Sequence, residues 1–169
     1  MATEFFAGKN MTDAQSLQDR YFSHGLCFGC GPKNNEGLQL KSFVVGDRTE
    51  ASWQGSSRYD NGFGFLNGGI ISALLDCHSA ACMMKETVDR YGDFCIEENE
   101  HFGAKHPVYL THKITVTFHR PAMLEQHAVL VAECLSFGEE EGVYRSLLHS
   151  GGKLAADAEV RWRRFQIRR

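Results

Sequence analysis

The sequence predicts an α+β domain in which a curved antiparallel sheet of about six strands wraps around one long central helix. Three observations carry this. One stretch, residues 67–84, is apolar on nearly every side of a helical wheel. Six other segments carry strand-like patterning separated by turn formers. Their order is two strands, the helix, then four strands, and an antiparallel sheet curling about a single helix buries all of that apolar surface most economically.

Thr12-Asp13-Ala14-Gln15 has capping-box spacing and predicts a short helix running to about Phe22. The turn-rich stretch from Cys27-Phe28-Gly29-Cys30-Gly31 to Gly37 reads as a loop. It leads into a strand over Leu38 to Val45, a turn at Gly46-Asp47 and a second strand over Thr49 to Gln54, which together make a hairpin. Residues 1–36 are thus expected as a helical arm and Cys-x-x-Cys loop packed on a single domain spanning 37–169. Beyond the helix, residues 92–107 read as a polar surface loop or short helix. Strands are then expected over Tyr109 to His119, His127 to Phe137, Val143 to His149 and Lys153 to Phe165, broken at Pro121, Gly138 to Gly142 and Gly151-Gly152. Ile114, Val116 and Phe118 alternate with Lys113, Thr115 and Thr117, as in a strand with one wet face.

Composition narrows the function. The 169 residues, 43% hydrophobic and 23% charged, suit one domain with a real core rather than a disordered chain. Eighteen Lys and Arg against 21 Asp and Glu give a net charge of -3, so no general attraction to nucleic acid is expected, although the end from Arg161 is locally basic. The longest mostly apolar run, Gly68 to Met84, contains Asp76 and His78 and is too short to span a bilayer. Met1 to Phe6 has no secretion-leader pattern, so a cytoplasmic location and reduced thiols are the expectation for the six cysteines.

The helix carries the chemistry. Asn67 before Gly68-Gly69 is a strong N-cap, because its amide oxygen can accept from a first-turn N–H. The two glycines also allow a ligand oxygen to approach unpaired N–H groups at the positive end of the helix dipole, where the alternative is a backbone-packing device. Asp76 lies on a small-residue face with Gly69, Ser72, Ala73, Ser79, Ala80 and Met83. A carboxylate there is either satisfied by a donor from a neighbouring strand or tuned as a general base or nucleophile. His78 points away from Asp76 and reads as a core or interface histidine. Cys27 and Cys30 have the spacing of half a zinc site, with His24, Cys95, His101 and His106 as conceivable partners. No second Cys-x-x-Cys exists and the pair does not open a helix, so loop packing is expected, with no metal and no redox role.

From Cys27 to Trp162 the chain resembles the hotdog-fold acyl-CoA thioesterases, particularly the phenylacetyl-CoA-type branch. The residues that carry the likeness are Cys27-Phe28-Gly29-Cys30-Gly31 with Gly37-Leu38, Leu66-Asn67-Gly68-Gly69-Ile70-Ile71 with Leu74-Leu75-Asp76, and His119-Arg120-Pro121. The resemblance implies a homodimer joined sheet edge to sheet edge, commonly a dimer of dimers, with active sites at the dimer interface. It implies that the Gly68 N–H polarises the thioester carbonyl, with Asn61 as a second polar group on the carbonyl side and Gly69 beside the substrate. Asp76 of the facing subunit then activates water or attacks the carbonyl, and Thr111 orients the water. CoA belongs to the substrate, so no separate cofactor is implied, and Arg120, Arg161, Arg163 and Arg164 are candidate contacts for its phosphates. Asn67 departs from the commoner family histidine, and an amide cannot carry a proton near neutral pH. A dehydratase or hydratase mechanism needing that histidine is therefore disfavoured, whereas a non-catalytic acyl-CoA- or lipid-binding module remains the alternative.

Overall fold

The computed structural model describes residues 15–93 and 107–165. The chain runs α1 (Leu17–Tyr21), β1 (Ser42–Val45), β2 (Arg48–Trp53), a 3-10 turn at Ser57–Tyr59, α2 (Gly68–Tyr91), then β3 (Val108–Phe118), β4 (Ala128–Phe137), β5 (Glu141–Ser150) and β6 (Lys153–Phe165). The strands form one antiparallel sheet in the order β1-β2-β4-β5-β6-β3, wrapped on α2, which is the hotdog architecture the sequence predicts.

Helix α2 begins where Asn67 accepts from the Gly69 N–H at 2.8 Å. It ends at Gly92, whose N–H still donates to the Val88 carbonyl at 2.8 Å and whose φ of 89° turns the chain out of the helix. Leu74, Leu75 and Cys82 are completely buried against the sheet, where Leu130, Tyr144, Leu148 and Val160 are equally buried, and Ala81 is completely buried in a second cluster with Leu17 and Tyr21 of α1. Each such leucine contributes about 1.5–3 kcal/mol of burial. Ala156 and Ala158 on β6, both buried, let the helix approach closely, and Trp162 closes the far end by donating to Ser79 Oγ at 2.9 Å.

Two element bounds differ from the sequence expectation. The first helix starts at Leu17, because Ser16 accepts from the Asp19 N–H at 3.1 Å and so caps it; the Thr12 cap lies outside the described residues, as does the expected loop between Gly92 and Pro107 from residue 94 onward. Strand β1 starts at Ser42 rather than Leu38. The Leu38 and Leu40 N–H groups bond to the Phe28 and Gly29 carbonyls at 2.8 and 3.0 Å, and Gln39 adopts φ 50°, so this stretch pairs with the Cys27–Cys30 loop instead of the sheet. Among the described residues, no helix is long and apolar enough to cross a membrane.

A buried polar chain ties α1, β1, β2 and α2 together. The Thr49 carbonyl can only accept, so His78 Nε2, 3.1 Å away, carries the proton. Nδ1 must then accept, and Ser42 Oγ donates to it at 3.0 Å while receiving the Gln18 amide at 3.2 Å. Gln18 Oε1 in turn accepts from the Ser42 N–H at 2.8 Å. Burial, opposed only partly by the Thr49 carbonyl, holds His78 down to about 4, so it is neutral in the fold. Replacing it strands Ser42 and Thr49 and leaves a cavity. His78→Ala should lose about 2–4 kcal/mol in urea denaturation, and a loss below about 1 kcal/mol would remove this network from the account.

Candidate active site

The amino end of α2 opens onto a cleft of about 410 Å³ whose walls include Asn61, Gly68, Ile71, Phe118, His119 and Arg120. Its rim is built by the loop before the helix. Asp60 accepts from the Gly62 and Gly64 N–H groups, and Asn61 Oδ1 accepts from the Phe63 N–H at 2.9 Å. Gly62 and Gly64 have φ of 91° and 85°, so the turn depends on residues without side chains. The Leu66 N–H donates to the Ala122 carbonyl and the Asn67 N–H to the Tyr59 carbonyl, both at 2.9 Å, which fixes the helix start against the chain after β3. Gly68 occupies the first helical position, where an N–H has no partner inside the helix. The Gly69 N–H is taken by Asn67 and the Ile71 N–H by the Asn67 carbonyl, and of the two first-turn donors left, at Gly68 and Ile70, it is Gly68 that lines the cleft. Asn61 spends its carbonyl oxygen on its own loop, leaving its NH₂ for any outside acceptor.

Two turns along α2, Asp76 Oδ1 accepts from Thr111 Oγ1 at 3.0 Å. This contact depends on a break in strand β3. Opposite β6, Thr111 pairs with Trp162 and Lys113 with Arg161, so His112 is an extra residue in a β-bulge. Ile114, Val116 and Phe118 lie opposite Val160, Ala158 and Ala156 on the helix side. Continued unbroken, that alternation would turn Thr111 to the outer face; the bulge shifts the phase by one residue and turns it towards Asp76. Burial raises the Asp76 pKa, the Thr111 hydroxyl lowers it, and the charge of Cys27 raises it again, for a net upward shift.

That last influence comes from a cluster the sequence divides between distant segments. Cys27, Cys30 and Cys77 have their sulfurs within 4.8 Å of one another, and Cys27 Sγ lies 3.7 Å from Cys77 Sγ. The thiols of Cys30 and Cys77 and the backbone N–H groups of Cys30 and Gly29 outweigh burial and hold Cys27 well below the usual thiol range. Cys30 and Cys77 are pushed up by their contacts with the other sulfurs and by burial. Cys77 was not legible as a partner because nothing in its helix pattern separates it from an ordinary core cysteine. Of the other partners the spacing offers, His24 does not join the cluster, and Cys95, His101 and His106 lie outside the described residues.

The expected basic residues part company. Arg120 lines the cleft with Gly68 and Asn61. Arg161 and Arg163 lie on the outer face of β6, since the intervening Trp162 points to the helix, and both approach Glu141, at 3.4 and 3.8 Å. Arg164 pairs with Glu139 at 3.1 Å. His119, unnoticed as a site residue, stands in the cleft wall with its Nε2 2.5 Å from Asp157 Oδ1; its place two residues before Pro121 was the available signal.

A model of the thioesterase superfamily matches residues 63–156, more than half of the chain, and the chain belongs to that superfamily. Solved structures share the fold. A thioesterase superfamily protein from Shewanella loihica PV-4 is 19% identical with a TM-score of 0.61, over 86% of this chain and 98% of that one. The E. coli PaaI protein of the phenylacetic acid degradation operon is 17% identical with a TM-score of 0.58, over 75% and 84%. A hypothetical thioesterase from Streptococcus pneumoniae TIGR4, solved with coenzyme A, is 12% identical with a TM-score of 0.59, over 77% and 91%. No curated protein matches the chain.

The Asp76 environment is directly testable. In an NMR titration the Asp76 carboxyl should titrate above the ordinary aspartate range, and Thr111→Val should move it higher still, because the one lowering influence is removed. An unmoved titration in the variant would mean that the Thr111 hydroxyl does not hold the carboxylate.

Proposed function

We propose that the chain hydrolyses acyl-CoA thioesters to free acid and CoA at a site assembled from two copies. The observation that carries this is the Thr111-held Asp76 carboxylate on the same helix whose first N–H, at Gly68, opens onto a cleft. Eight residues separate the two, about 12 Å along a helix axis, so one chain does not bring both to a single carbonyl. A second copy running the other way offers its Gly68 to the first copy's Asp76. Strand β3 is the surface for that pairing: it is an edge of the sheet, carries Thr111, and leaves Leu110 and Phe118 about half exposed. A long exposed edge with apolar side chains is a template for another strand.

In this reading the thioester carbonyl oxygen accepts from the Gly68 N–H, with the helix dipole favouring the charge that develops there. Asn61 offers its NH₂ from the same rim. Asp76, as the carboxylate, takes a proton from water, and the hydroxide equivalent attacks the carbonyl carbon. Thr111 donates to one carboxylate oxygen and so leaves the other directed at the water. Collapse of the tetrahedral intermediate breaks the C–S bond and releases the CoA thiolate, a leaving group of ordinary thiol acidity that needs no strong acid. Asn67 serves as cap and holds Gly69, and no proton passes through it. Water and the thioester are the only reactants. Arg120 is placed to meet a CoA phosphate, whereas the outer-face arginines could do so only by leaving Glu141. The resemblance to the phenylacetyl-CoA-type branch makes aromatic acyl-CoAs the first substrates to offer, and Ile71 and Phe118 give the cleft an apolar wall for such a group.

Short, medium, long and aromatic acyl-CoAs should be assayed by separating the products, since six cysteines would react with a thiol dye. Asp76→Asn should abolish turnover in an otherwise folded protein. Gly68→Pro removes the proposed donor and keeps the helix start, because proline suits the first helical position and the extended Asn67 (φ -61°, ψ 136°) tolerates a following proline, while its added carbons meet the Phe118 ring at ordinary contact distance. It should lower kcat/KM by roughly 10²–10³. Because the base must be ionised, activity should fall as pH drops through the raised Asp76 pKa. Turnover untouched by Asp76→Asn would sink this mechanism, and no turnover with any substrate would favour a module that binds acyl-CoA without cleaving it.

A further inference from the structure

We infer that Cys27, Cys30 and Cys77 form a binding site for one thiophilic divalent cation, with zinc as the fitting ion. A tetrahedral zinc centre with sulfur bonds of about 2.3 Å sets its sulfurs about 3.8 Å apart, and Cys27 and Cys77 stand at 3.7 Å with all three sulfurs within 4.8 Å. A disulfide would instead bring two sulfurs to about 2.05 Å and leave the third unused. Closure on an ion therefore requires side-chain adjustments of about an ångström.

The loop is shaped as a ligand-presenting turn. The Gly31 N–H donates to the Cys27 carbonyl at 2.8 Å, and the Gly29 and Cys30 N–H groups turn towards the Cys27 sulfur, as donors around a thiolate ligand do. Both glycines are sterically required. A Cβ on Gly29 would sit 2.3 Å from Cys77 Sγ, and one on Gly31 would sit 2.5 Å from the Cys27 backbone nitrogen. The Leu38 and Leu40 N–H groups clamp the other side of the loop. Cys30 and Cys77 are buried and Cys27 is half-buried, so the cluster is shielded yet has one face open to entry. Among the described residues, these three are the only group of three or more His, Cys, Asp or Glu side chains placed together for an ion.

Binding is an exchange of protons for an ion, with no redox step. The three cysteines bind as thiolates, and each sulfur that carries a proton releases it to solvent as its bond to the ion forms. The consequence is mechanical: the ion staples the 25–31 loop to α2 at the residue next to Asp76.

The full chain, reduced and stripped with a chelator, should be titrated with Co²⁺ and then Zn²⁺. One equivalent of Co²⁺ should give thiolate charge-transfer and tetrahedral d–d absorption, bleached by one equivalent of Zn²⁺, with protons released on binding. Cys30→Ser and Cys77→Ser should each weaken Zn²⁺ binding by more than roughly a hundredfold, whereas Cys134→Ser should leave it unchanged. Should the variants fail to fold, alkylation of the wild-type chain decides: Zn²⁺ should protect Cys27, Cys30 and Cys77 but not Cys134. Absence of the charge-transfer band, binding indifferent to both substitutions, equal alkylation with and without Zn²⁺, or retention of Cu⁺ alone would each overturn the assignment.

Discussion

A carboxylate on a helix that is buried almost all round must be met by a donor, and the contact between Asp76 and Thr111 meets that need. Its requirements reach through the fold. The helix must present Asp76 on a face of small residues, so that a strand can come close. Strand β3 must carry a hydroxyl at that height and aim it inward, which the bulge at His112 accomplishes against the alternation of the rest of the strand. Because β3 is also an edge, the same strand that holds the carboxylate borders the surface a second copy would use. Packing, orientation of the acid and assembly thus converge on one element.

The helix gives the arrangement its polarity. Asn67 sets where α2 begins, and that start determines which N–H faces the cleft and how far along the axis Asp76 lies. The buried chain from Gln18 through Ser42 and His78 to Thr49 fixes the rotation of the opposite face of α2 against β1 and β2. With both faces held, the rotamer of Thr111 and the pull of nearby sulfurs are what remain to tune the acid.

Much of this was legible in the sequence, because it rests on strong local signals. The Asn67 cap, the apolar helix and the last four strands follow from periodicity and turn formers, and His78 declared itself a core residue by its angle from Asp76. What escaped was non-local. Leu38 to Lys41 alternates like a strand, yet its backbone groups are claimed by the Cys27–Cys30 loop, a partner that alternation cannot reveal. The capping-box spacing points to Thr12, whereas the bond from the Asp19 N–H caps the described helix at Ser16. The bulge that turns Thr111 inward leaves no mark in the pattern of Leu110 to Phe118, and Thr111 entered through family resemblance alone. Cys77 joins Cys27 and Cys30 only because the loop folds over the helix, a juxtaposition of segments 47 to 50 residues apart.

The central claim is that each site takes Gly68 from one chain and Asp76 from another, and subunit mixing tests it most directly. Gly68→Pro, expected to be strongly impaired, and Asp76→Asn, expected to be inactive, should be unfolded together, refolded and assayed. In a mixed dimer one site carries both lesions and the other carries neither, so random pairing of equal amounts should restore about one quarter of wild-type turnover. Activity no greater than the sum of the two variants assayed separately, in a mixture shown to contain mixed dimers, would contradict the shared site.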